Sequence, residues 1–133
     1  GLTADRAFLK PEEHRGEVLS CTGRLIKIYT ERLGSGKGED FVYLGILQEQ
    51  STNRTVWFYM AEKPVDPVTR KPIVFNTYEK GGQEYYSDWA RLNGVFLRQY
   101  RYPSQFDDEK GNAVYARAAV LFVKDLRIVE KPE

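Results

Sequence analysis

The chain carries 133 residues, of which 41% are hydrophobic, 14% aromatic and 29% charged, long enough to bury one core and too apolar for a disordered segment. Twenty Lys and Arg oppose nineteen Asp and Glu, a net charge of +1, so no global field attracts a polyanion and any nucleic-acid affinity must come from a local patch. The lone cysteine, Cys21, excludes an internal disulfide, and no apolar run approaches the ~20 residues that span a bilayer.

The chain begins Gly-Leu and its only methionine is Met60, as expected of a soluble segment excised from a longer protein, with its compartment left open. In TADRAFLKPEEHRG, Pro11 followed by Glu12 and Glu13 suits a helix start, so residues 1–15 are expected to form an arm or linker with a short helix closed by Gly16. EVLSCTGRLIKIYTER then predicts a strand. Its apolar parity runs through Leu19, Cys21 and Leu25 and switches at Ile26 and Ile28, which points to a bulge or bend at Gly23.

LGSGKGED predicts a loop, FVYLGILQEQ a strand with Gly45 at its middle, STNR a tight turn and TVWFYMAE a third strand. Residues 63–88 hold Pro64, Pro67, Pro72 and a Gly81-Gly82 break, which predicts a long proline-rich insertion with at most a short helix or strand. RLNGVFLRQYRYP supplies a fourth strand bent at Gly94. SQFDDEKGN predicts a turn reversing at 110–112, and AVYARAAVLFVKDLRIVE a long fifth strand kinked at Asp125. One internal echo stands out: LSCTGRLIKIY aligns with ARLNGVFLRQY on Gly23 and Gly94, which suggests two strands that bend alike rather than a solenoid repeat.

Three strands, a long insertion and two more, with glycines inside the first, second and fourth, match what a five-stranded Greek-key barrel requires. PEEHRGEVLSCTGRLIKI carries Pro11, Gly16, Leu19, Cys21, Gly23 and Leu25 in a pattern that resembles the opening of bacterial OB-like domains. Over roughly residues 11–130 the chain is similar to uncharacterised bacterial OB-like domains and to anticodon-binding-like OB families. The expectation is an all-β chain with minor α: a five-stranded OB-like Greek-key barrel over residues 16–131. The insertion stands where an OB-fold normally carries a helix.

No residue set points to catalysis. His14 is the only histidine, which removes a Ser-His-Asp arrangement and a His/Cys metal cluster and leaves a solvated turn residue. Asp107, Asp108 and Glu109 lack the alternate spacing and distal Glu of a calcium loop. The Gly-rich run at 34–38 leads into a strand, so no helix N-terminus faces a phosphate, and Asn53-Arg54-Thr55 is a glycosylation pattern common by chance. No catalytic residue, metal or cofactor is expected.

Binding has more support. The resemblance implies a recognition face on the second and third strands flanked by two loops, and carried over by position this selects Lys27, Tyr43, Trp57, Tyr59, Arg98, Tyr100, Arg101 and Tyr102. The flanking loops, residues 31–40 and 103–112, carry net charges of −1 and −2, which opposes a phosphate backbone. Tyr and Arg also anchor protein interfaces, and large side chains wall small barrels. The sequence therefore predicts a non-catalytic adaptor module of a larger bacterial protein that contacts a protein partner or sister domain. Weak, sequence-tolerant single-strand binding is the alternative, and no membrane contact is expected.

Overall fold

The computed structural model describes residues 4–32 and 41–132; the glycine-rich loop predicted at 33–40 lies outside them. The chain is mostly β with a minor helical part. In order come α1 (Ala4–Leu9), α2 (Pro11–His14), β1 (Val18–Arg32), β2 (Phe41–Glu49), β3 (Thr55–Met60), β4 (Thr77–Lys80), β5 (Gln83–Tyr86), β6 (Trp89–Asp107) and β7 (Ala113–Val129). Five of these close a barrel in the order β1-β2-β3-β7-β6, and β4 and β5 form a separate two-stranded ribbon. Every barrel contact is antiparallel except β3 with β7, which is parallel.

Alternation builds the interior. Leu19, Leu25, Leu47, Val56, Phe58, Leu92, Phe96, Leu121 and Val123 are all but inaccessible, each on the inward parity of its strand. The arm shares this core: Ala7 on α1 is 0% exposed and belongs to the same cluster. Pro11 opens α2, with Glu12 and Glu13 in its first turn, and the chain then docks beside β6 through bonds from Gly16 N–H to Phe96 O and from Phe96 N–H to Glu17 O, both 2.8 Å.

Gly23, Gly45 and Gly94 all lie within strands, and the β6–β7 register slips at one of them, between Asn93 and Gly94, whereas no slip falls at Gly23 or Gly45. In β1 the register slips between Leu25 and Lys27, so Ile26, not Gly23, is the extra residue. The parity change that hinted at a bulge belongs to the bulged residue itself. Likewise Lys124, next to the expected Asp125, is the extra residue opposite Asn93 and Gly94. Gly23 and Gly45 answer a different demand, for space. A Cβ on Gly45 would overlap the ring of Phe58, and one on Gly23 would overlap the backbone carbonyl of Gln48.

The internal echo acquires a geometric meaning. The echoing segments are neighbours, with Leu19 opposite Gly94, Cys21 opposite Leu92 and Gly23 opposite Ala90, so a local two-fold axis passes through the Cys21–Leu92 pair. The bulge at Ile26 in β1 has its counterpart at Leu97 in β6.

The insertion is more ordered than expected. Gly81 and Gly82, with φ of 62° and 79°, form the tip of the β4–β5 ribbon, because a two-residue hairpin turn of this hand needs positive φ at both positions. Asp88 ties down its base by accepting from Asn76 N–H at 2.8 Å and Asn76 Nδ2 at 3.1 Å. Ile73, Phe75 and Tyr86 pack against the core, Phe75 stacking on Tyr86 at 4.9 Å. The hairpin between β6 and β7 is also tighter than the turn expected over 104–112. β6 runs on to Asp107, and Asp108 closes the reversal by accepting from the N–H groups of Lys110 and Asn112.

Candidate functional site

The bulge at Leu97 decides what the Arg/Tyr ladder faces. Up to Phe96, the even-numbered residues of β6 point inward. Beyond the bulge, Arg98 pairs with Val120, Tyr100 with Ala118 and Tyr102 with Ala116, so Arg98, Tyr100 and Tyr102 point outward. There they meet Trp57, whose neighbour across β3 and β7 is Val120. Trp57 lies 5.1 Å from both Tyr100 and Tyr102, and the two tyrosines are near-parallel at 6.3 Å.

The small side chains of β7 let rings from β3 and β6 close over it. Ala118 is 0% and Val120 3% exposed, yet neither belongs to the interior cluster. They are buried from outside, beneath Trp57, Tyr100 and Tyr102. The cluster is thus a second, external hydrophobic layer whose rings are themselves half-buried.

The remaining candidates divide. Lys27 faces outward two strands from Trp57, linked to it by Ile46, with its ammonium 5.1 Å from the Tyr29 ring. Tyr59 is outward on β3 beside Trp57. Tyr43 shares the parity of Gly45 and Leu47 and packs against the core, so it is not part of the outer surface. Arg101 lies on the opposite face of the β6–β7 ribbon from Tyr100, over the Tyr115 ring at 4.6 Å and directly opposite Arg117. The structure therefore unites Trp57, Tyr59, Arg98, Tyr100 and Tyr102, leaves Lys27 at their margin and separates Tyr43 and Arg101.

A belt of apolar residues escaped the sequence reading. Tyr29 pairs with Leu44, Leu44 with Tyr59, Tyr59 with Phe122, Phe122 with Val95 and Val95 with Val18. All six are on outward parity, and Phe122 at 41%, Tyr29 at 44% and Val18 at 63% remain well exposed. In β7 the run AAVLFV holds an inward and an outward apolar set at once, so alternation could not reveal that Phe122 faces out.

Cys21 and Glu49, two buried ionisable groups, sit in the scaffold. Burial, with the nearby charge of Glu49, pushes the Cys21 thiol up to about 12, which disfavours the thiolate form. Burial also acts to raise the Glu49 carboxyl, but hydrogen bonds from Ser51 and Thr52 outweigh it and hold that group below its ordinary value. Glu49 thereby anchors the 50–54 turn, accepting from Ser51 Oγ, Thr52 Oγ1 and Thr52 N–H, each at 2.7 Å. His14 Nδ1 lies 2.6 Å from Glu17 Oε2. Among the described residues no three His, Cys, Asp or Glu side chains gather as metal ligands, and no helix is long and apolar enough to cross a membrane.

Compared with protein-family models, curated proteins and solved structures, the chain matches none. The functional reading therefore rests on the geometry of these surfaces.

Proposed function

We propose that the barrel is an OB-like Greek-key barrel and that the chain is a non-catalytic adaptor module of a larger bacterial protein, docking a protein partner or sister domain on its outer wall. The OB-like reading is supported by the three-strand meander, by the insertion before the fourth barrel strand and by closure of the third strand against the fifth.

The observation that carries the protein reading is the apolar belt through Tyr59, Phe122 and Val95 beside the Trp57 cluster. A contiguous outward-facing apolar surface, exposed at Phe122 and Val95 and half-buried at Tyr59, bordered by Tyr, Trp and Arg, has the composition of an interface core. Single-strand binding needs free ring faces and cations along the backbone. Here Arg98 lies over Tyr100 at 5.4 Å, Trp57 abuts both tyrosines, and Asp107, Asp108 and Glu109 end the adjoining hairpin.

The test places a photo-crosslinking phenylalanine at Tyr59 in the cells that make the protein. Adducts removed by protease and untouched by nuclease are expected. Nuclease-sensitive adducts, or tight salt-sensitive binding of a labelled oligonucleotide by the purified chain, would establish the nucleic-acid alternative instead.

A further inference from the structure

A second surface, away from the Trp57 cluster, has a different character. β3 pairs with β7 only from Thr55↔Ala118 to Tyr59↔Phe122. Beyond that point the chain leaves the sheet as residues 61–70, and β7 continues paired with β6 alone. Among the described residues, no backbone bond joins residues 123–127 to the 61–70 segment. One edge of β7 therefore stays open, with every second residue turning its N–H and C=O outward.

Between that edge and the 61–70 segment lies a cleft of about 530 Å³. Its charges are unbalanced: Lys63, Arg70, Arg91, Lys124 and Arg127 line it against Glu62 and Asp125. Arg91 and Arg127 stand directly opposite one another across β6 and β7, a placement of like charges that costs stability unless an anion lies between them. Arg91 donates a long 3.4 Å bond from Nε to Ser20 Oγ, and Asp66 is close enough to Arg127 to feel its charge. Arg70 is one of two non-glycine residues at positive φ among those described, at 62°; its N–H bonds Asp66 O at 2.9 Å, within a turn whose Val68 and Thr69 N–H groups Asp66 also accepts. These bonds fix the backbone from which Arg70 projects at the rim.

An open strand edge recognises extended backbone by adding a strand, and side chains beside it read alternate residues of the incoming segment. A row of guanidinium and ammonium groups along that edge selects carboxylates, which arginine engages bidentately. We propose that this cleft binds an acidic peptide segment in extended conformation, which adds a strand to the open edge of β7 and places its carboxylates between Arg91, Arg127 and Arg70. The bulge at Lys124 also discourages indiscriminate edge pairing, so charge complementarity is what admits the acidic segment.

The experiment is fluorescence anisotropy with a labelled peptide of alternating Glu and Val, beside three comparison probes: the Lys-for-Glu peptide, a version N-methylated at alternate amides, and an oligothymidylate of equal charge. The acidic peptide should bind at least about ten-fold more tightly than the Lys peptide, weaken with added salt, and lose binding on N-methylation. Arg91→Glu and Arg127→Glu together should reverse the preference toward the Lys peptide while the thermal transition is retained; Lys80→Glu on the remote ribbon should change nothing. Equal affinity for both peptides, indifference to N-methylation, or tighter binding of the oligothymidylate would overturn the proposal.

Discussion

Glu49 shows how one carboxylate can serve structure rather than chemistry. It is 6% exposed, and a buried carboxylate is tolerated only when its lone pairs are met; three donors from Ser51 and Thr52 meet them. Its folded-state carboxyl titrates below the ordinary value of 4.5, so the charged form is favoured by folding. The associated stability is present above the unfolded value and is lost as pH falls through the lower, folded one. Thermal melts followed by circular dichroism should therefore show the parent losing stability as pH falls below the ordinary carboxylate value of 4.5. Glu49→Gln should be less stable at neutral pH by about 1–2 kcal/mol and flatter across the acid range. A parallel acid profile for the two proteins would assign the acid sensitivity to other groups. The reading of STNR as a turn was available from residue types alone. That the preceding Glu holds it was not, because a Glu ending a strand is normally solvated.

At the scale of elements, single-residue bulges set which face a side chain joins. Ile26 and Leu97 each take an extra place in their ladders, and every residue beyond them changes sides relative to strict alternation. Tyr100 and Tyr102 reach Trp57 for this reason, across a strand whose Ala116 and Ala118 leave room. Replacing both tyrosines with Ala removes the roof over Trp57 and Ala118. Loss of edge and tilted ring contacts alone is worth about 0.5–1.5 kcal/mol per pair. The double variant should melt at lower temperature with tryptophan emission shifted to the red. Unchanged emission would mean that the rings do not shield Trp57 in solution. The ladder was visible in RLNGVFLRQYRYP, and alternation alone puts Tyr100 and Arg101 on opposite faces, but which of them turns outward followed from the bulge at Leu97, which no residue type announces. Tyr43 was misplaced because its strand carries apolar residues on both parities, and only its pairing with the buried Met60 places it inward.

For the molecule as a whole, the arm and the insertion complete the core that the barrel strands enclose. Ala7 is fully buried within the interior cluster, whereas Leu9 on the same helix is 77% exposed. Ala7→Asp would bury a carboxylate with no partner prepared for it, which costs several kcal/mol, so the melting temperature should fall by at least about 10 °C or cooperative melting should vanish. Leu9→Asp should lie within about 0.5 kcal/mol of the parent. Equal melting of the two variants would show the arm to be detached from the barrel. In the same way Phe75, Tyr86 and Ile73 bring the insertion onto the core, a role hidden by the prolines and glycines that dominate its sequence.

Local chemistry in the sequence determined the barrel strands, the mid-strand glycines and the helical start at Pro11, since each depends on neighbours along the chain. Which residues a strand shows to solvent depended on register. Register is set by pairings between distant segments and by a single extra residue in a ladder. The apolar belt, the open edge of β7 and the basic cleft beside it exist only once β3 parts from β7 after Tyr59, a decision made by closure of the barrel and by no stretch of sequence taken alone.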